Sequence, residues 1–203
     1  MGFWGTIMKA GMKKDDIADF YDVTSKCKIK NIKKKYNSIK IQSCLDIRFS
    51  YKQDNPKCSV FLKDVNDLNN LEINFIEENR ELHLHISSRK AVKGYLELVT
   101  CCVGSLDVVS DQDISVKYVA SEHVVLSSAK GDIYALVNEA DVVELNADSG
   151  DITVDILRNE YLIDAHTKSG EVILNKVKSN NNANHNIHCV SKSGDIVISL
   201  LKK

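Results

Sequence analysis

The chain has 203 residues, 27 basic and 28 acidic side chains and a formal net charge of −1, so its surface as a whole is not tuned to a polyanion. One proline and nine glycines leave no composition for a flexible linker, and the length suits one elongated domain. The charge is nevertheless polarised: residues 1–40 hold ten lysines against Asp15, Asp16, Asp19 and Asp22, a local balance of +6, which leaves −7 for the rest.

Residues 1–14 contain Phe3, Trp4, Ile7, Met8 and Met12, interrupted by Lys9, Lys13 and Lys14. No apolar stretch there reaches the length of a signal peptide or membrane span, so the expectation is a cytoplasmic chain. On a helix, Trp4, Ile7, Met8 and Met12 share a face. Such a helix would cap the first rung of a stacked sheet, or would lay Phe3 and Trp4 into a membrane surface with its lysines at the headgroups. Met1-Gly2-Phe3-Trp4-Gly5-Thr6 also fits a myristoylation pattern formally. Next come Lys26, Lys28, Lys30, Lys33, Lys34 and Lys35. They form either an edge strand defended against aggregation or a contact for anionic lipid. Nucleic acid is not expected, because Tyr36 is the only aromatic in the run and no reading motif is present.

From residue 37 onward apolar residues alternate with polar ones, as in Ile39 and Ile41, Ile47 and Phe49, Leu82, Leu84 and Ile86, and Leu96 and Leu98. Successive side chains of a strand point to opposite faces, so each run reads as a strand with one buried face. Pro56 marks a turn. Glu81, His83 and His85 share an outward face, a weak candidate metal set. His185, His188 and Cys189 form a second set, weakened because adjacent residues of a strand point apart. The six cysteines, Cys27, Cys44, Cys58, Cys101, Cys102 and Cys189, contain no Cys-x-x-Cys pair and are expected as reduced thiols, mostly buried, with the outward member of Cys101-Cys102 open to oxidation.

The C-terminal half carries a repeat: Lys130-Gly131-Asp132-Ile133, Ser149-Gly150-Asp151-Ile152, Ser169-Gly170-Glu171-Val172 and Ser193-Gly194-Asp195-Ile196, with glycines 19, 20 and 24 residues apart. A period near 20 predicts stacked units of strand, turn, strand and turn. The expected ladder places Ile133 over Ile152 and Ile152 over Val172. Each glycine supplies positive φ at a tight corner. Residues 179–186, rich in asparagine, should bulge from one edge. Asp132, Asp151, Glu171 and Asp195 then line a corner, where they serve the turn backbone or, less simply, calcium. Asp148 and Asp151 flank one corner as the carboxylate pair a glycosidase would need.

The Ser-Gly-Asp-Ile steps, with Ser38-Ile39-Lys40-Ile41, Leu71-Glu72-Ile73 and Glu81-Leu82-His83-Leu84-His85-Ile86 before them, make residues 37–200 resemble a bacterial family of candidate adhesins built from β-strand repeats. The resemblance implies a fold similar to single-chain β-helices and a place among envelope or stress proteins. It names no reaction. The expected protein is all-β, a β-solenoid (β-helix) of two-strand repeats of about 20 residues over 37–203, preceded by a helical cap and basic segment over 1–36. The expected role is a non-enzymatic scaffold that binds a protein partner or itself, without cofactor or metal. The alternatives are a peripheral module on an anionic membrane and a carbohydrate-active β-helix.

Overall fold

In a computed structural model the described residues are 20–27, 29, 31–52 and 55–201. The helix expected over residues 1–14 lies outside them, as do Phe3, Trp4, Lys28 and Lys30. The described chain is all-β. Its strands are β1 (Tyr21–Asp22), β2 (Lys35–Ser43), β3 (Asp46–Tyr51), β4 (Lys57–Leu62), β5 (Leu71–Glu78), β6 (Glu81–Ser88) and β7 (Gly94–Ser110). There follow β8 (Ile114–Ser128), β9 (Ile133–Ala147), β10 (Ile152–Ile156), β11 (Tyr161–Thr167), β12 (Val172–Asn175), β13 (His185–Ser191) and β14 (Ile196–Leu200). Short 3-10 turns occupy Thr24–Lys26 and Val65–Asn70.

The strands stack into two faces. The long strands β7, β8 and β9 bend from one face to the other, and in β8 the pairing register shifts around Tyr118, which has φ +60 and points into solvent. On the front face, the N-terminal part of β9 pairs in parallel with β8 and β10. On the back face, its C-terminal part pairs with β8 and β13. Inward residues fall in columns. Ile114, Ile133, Ile152 and Ile196 are in register along the front, and Leu126, Leu145 and Cys189 along the back, all at 0–1% exposure. At about 25 cal/mol per Å² of apolar area, each such side chain contributes roughly 1.5–3 kcal/mol, so the columns are the main source of stability.

The stacking departs from chain order at both ends. Ile152 is in register with Ile196, and Val172 lies beyond Ile196, so β14 sits between β10 and β12. On the back face β13 likewise lies between β9 and β11. The expected step from Ile152 to Val172 is therefore corrected. Where other rungs carry Ile156 or Leu200, the segment after β12 carries Lys176, and a covered rung would bury that ammonium without a partner. The β14 row of Ile196, Ile198 and Leu200 can be covered at no such cost. Residues 176–184 give the chain the length to step back one rung. At the other end β2 lies between β6 and β7, and β3 between β7 and β8, again out of chain order. The rungs are thus not one continuous coil.

The two ends also differ in cover. At the N-terminal end β4 and β5 pair antiparallel with β7 and β6, and β1 extends β4. Val23, Cys27 and Ile32 join the core there at 2–8% exposure and help to cover this end. At the C-terminal end β12 and β11 are outermost.

Candidate functional site

The repeated turn is explained by two contacts. The Asp132 amide donates to Asp113 Oδ1 at 2.9 Å, Asp151 to Asp132 at 2.8 Å, Asp195 to Asp151 at 2.8 Å and Glu171 to Asp195 at 2.9 Å. Each carboxylate thus ties the next rung to its own, in the order 113, 132, 151, 195, 171. The glycines stand in the same order. A Cβ on Gly150 would meet the carbonyl of Gly131, one on Gly194 that of Gly150, and one on Gly170 that of Gly194. Gly150 and Gly194 have φ of +149 and +152, whereas Gly131 and Gly170 do not have positive φ. Close approach of stacked turns is the requirement common to all four, and positive φ applies to two.

This column extends further than the glycines reveal. Asp113 and Asp46 belong to it: the Ile47 amide donates to the Asp113 carbonyl at 2.8 Å, as the Ile114 amide does to the Asp132 carbonyl at 2.9 Å. Burial, reinforced by the neighbouring Asp113 carboxylate, pushes Asp46 up to about 6, against the pull of the Asp113 backbone and of Arg48. The signal that could have found both is the Asp-Ile step itself, Asp46-Ile47 and Asp113-Ile114, without its glycine. Small hydroxyls complete the corners: Ser128 Oγ donates to the Gln112 carbonyl and accepts from the Gly131 amide, and Thr167 Oγ1 donates to the Gly194 carbonyl, all at 2.8–2.9 Å. The carboxylates are held by this turn chemistry. Asp148 is bound by Lys192 at 2.6 Å and Asp151 by the Asp195 amide, so neither stands free as a general acid.

The other sequence candidates disperse. His83 and His85 lie on the outward back face in a shallow groove of about 290 Å³ with Lys40, Ile76 and Val109, and His83 approaches Glu81 at 3.5 Å. His188 reaches Asp164 at 3.0 Å and His185 reaches Asp141 at 3.1 Å, while Cys189 points into the core. No group of three His, Cys, Asp or Glu among the described residues is placed to hold a metal. Lys26, Lys33, Lys34 and Lys35 are exposed at the capped end, and Lys33 pairs with Glu77 at 2.9 Å. On the front face there, Tyr95 lies between the stacked ring of Phe61 at 4.6 Å and the Arg48 guanidinium at 3.6 Å.

The open end is the feature that sequence reasoning missed. Val172 and Leu174 occupy the inward column yet are 41% and 43% exposed, where Ile152 and Ile196 are at 0%. Ile173 and Leu162 beside them are also exposed. The asparagine-rich segment does not bulge away. Ser179 Oγ accepts from the Ile163 amide and donates to its carbonyl, and the Asn180 amide donates to the Tyr161 carbonyl, which closes the free edge of β11. Among the described residues β12 pairs with β14 alone.

Solved structures similar to this chain include a candidate cell adhesion protein from Clostridium sporogenes ATCC 15579, at 15% identity and TM-score 0.46, covering 85% of this chain and 97% of that one. A candidate adhesin from Bacteroides fragilis NCTC 9343 is 15% identical with TM-score 0.40, covering 90% and 96%. A candidate lipid-binding protein from Parabacteroides distasonis ATCC 8503 is 14% identical with TM-score 0.27, covering 91% and 96%. No curated protein matches. Residues 22–203 match the family model of Toastrack DUF4097, and over that span the chain belongs to this family.

Proposed function

We propose that this chain is a non-enzymatic interaction module, a solenoid-like rack whose uncovered end receives a protein strand. The observation that carries the reading is the contrast within one column: Ile152 and Ile196 fully covered, Val172 and Leu174 open on an edge strand with one neighbour. An unpaired edge backed by apolar side chains is a template for strand addition, with main-chain bonds for affinity and alternate side chains for specificity. Affinity capture with wild-type and Leu174→Asp chains side by side tests it. Partners retained by the wild type and lost by the variant support the reading, and identical sets from both chains overturn it.

A second reading is supported by the capped end. Lys34 and Lys35 are exposed there and make no ion pair among the described residues, so the segment that includes Lys26 to Lys35 could hold the rack to an anionic bilayer. Co-sedimentation with anionic vesicles across a salt series tests it. Pelleting that falls as salt rises supports a membrane role; none at any salt removes it.

A further inference from the structure

We propose that the occupant of the open end is a second copy of this chain, joined by antiparallel pairing of β12 with β12 about a two-fold axis at Ile173. The proposal rests on the reading that β12 is the interaction edge, and it names the partner. The Ile196 amide donates to the Glu171 carbonyl at 2.8 Å. In a parallel pair alternate residues bond the same neighbour, so Ile173 follows Glu171 toward β14, and Val172 and Leu174 turn their amides and carbonyls to the open side.

Those groups fit a copy of themselves in one register. A two-fold axis perpendicular to the sheet keeps inward residues inward only if paired residues have equal parity. Centring it on Ile173 sets Val172 opposite Leu174 of the second copy, twice, with four main-chain bonds and Ile173 facing its own equivalent at the unbonded site between. The exposed inward pair of each molecule then continues the core of the other.

Charge and end geometry favour a copy over other occupants. Val172–Asn175 carries no charge, so the two paired strands meet without like-charge repulsion. A two-fold contact uses the same β12 edge on both molecules, so it leaves no β12 edge free and closes as a dimer. Two sheets about 10 Å apart, with strands rising about 3.3 Å per residue, give an end that buries on the order of 1,000 Å² in total, the lower bound for a specific interface. Buried area does not fix affinity, so association is followed over a wide range, roughly 1–100 µM.

Sedimentation velocity on the full chain across that range, with Leu174→Asp alongside, is the first arm. The second is mild oxidation of Ile173→Cys, because unbonded antiparallel partners have Cα atoms about 4.5 Å apart, within disulfide reach. The expected result is a concentration-dependent dimer, weakened at least tenfold by Leu174→Asp, and a covalent dimer whose linked peptide joins position 173 to position 173. A wild-type chain monomeric throughout, or a dimer that neither responds to Leu174→Asp nor links at 173, overturns the proposal. If the wild type stays monomeric while capture still depends on Leu174, the edge serves another protein and only the homodimer fails. If both fail, the interaction reading falls with it.

Discussion

Ile152 stands in register with Ile196, 44 residues later in the chain, and not with Val172, its counterpart in the repeat that follows. This places the most apolar of the late rungs inside the stack and the rung that ends in Lys176 outside it. The arrangement makes burial, and hence mutational cost, independent of distance from the C-terminus.

Ile198 and Leu174 occupy the same inward column in adjacent strands, at 0% and 43% exposure. Ile198→Ala should destabilise the fold by about 2–5 kcal/mol, the range for a buried aliphatic, and Leu174→Ala by about 1 kcal/mol or less. Urea unfolding at a concentration where the chain is monomeric measures both. Equal costs would show that β14 is not covered.

The turn column is tested at Gly194 and Asp151. Gly194→Ala puts a Cβ against the Gly150 carbonyl at a φ of +152, and about 2 kcal/mol or more should be lost. Asp151→Ala removes the acceptor for the Asp195 amide and should cost about 1 kcal/mol, with Asp151→Asn recovering part of it. The same unfolding experiment reads all three.

Asp46 gives the fold a pH dependence of definite sign. Its folded value of about 6 lies above the unfolded one, so the folded state holds the proton more tightly. The stabilisation is present below about pH 4 and is lost as pH rises through 6. Asp46→Asn should therefore raise stability at pH 7.5 by about 1 kcal/mol, after discounting for solvent screening, and leave it little changed at pH 4. Unfolding of both chains at the two pH values checks this; a variant less stable at pH 7.5 would contradict it.

The thiols should separate by burial. Burial raises Cys58 and Cys189 to about 12 and Cys102 to about 11, all three inside the core, whereas Cys44 and Cys101 are partly exposed. A thiol reagent at pH 8 should modify Cys101 and Cys44 in the native chain before the other three, followed by peptide mass analysis. Early modification of Cys189 would contradict its place in the back-face column.

The alternation and the Gly-Asp steps made the strands and inward columns readable, because strand side chains have period two and stacked turns leave no room for a Cβ. Ile133 over Ile152 follows from spacing alone. The order of rungs was not readable from the period, since Val172 and Ile196 both fit above Ile152, and the choice between them turns on Lys176, which lies beyond the repeat signature. The open end followed from that order and was hidden with it. Asp46 and Asp113 escaped notice because Leu45 and Gln112 stand where the repeat has glycine. The antiparallel β5–β6 turn was obscured too: Asn79 and Arg80 adopt φ of +47 and +64 without the usual glycine.

β13 and β14 are inserted between earlier rungs, which leaves β11 and β12 outermost. Native-state hydrogen exchange on the full chain, at the lowest workable concentration, tests it most directly. Amides of residues 185–191 and 196–200 should exchange more slowly than those of 161–167 and 172–175, although the former lie nearer the C-terminus. Residues 196–200 exchanging with or before 172–175 would contradict the insertion and return the chain to rungs stacked in sequence order.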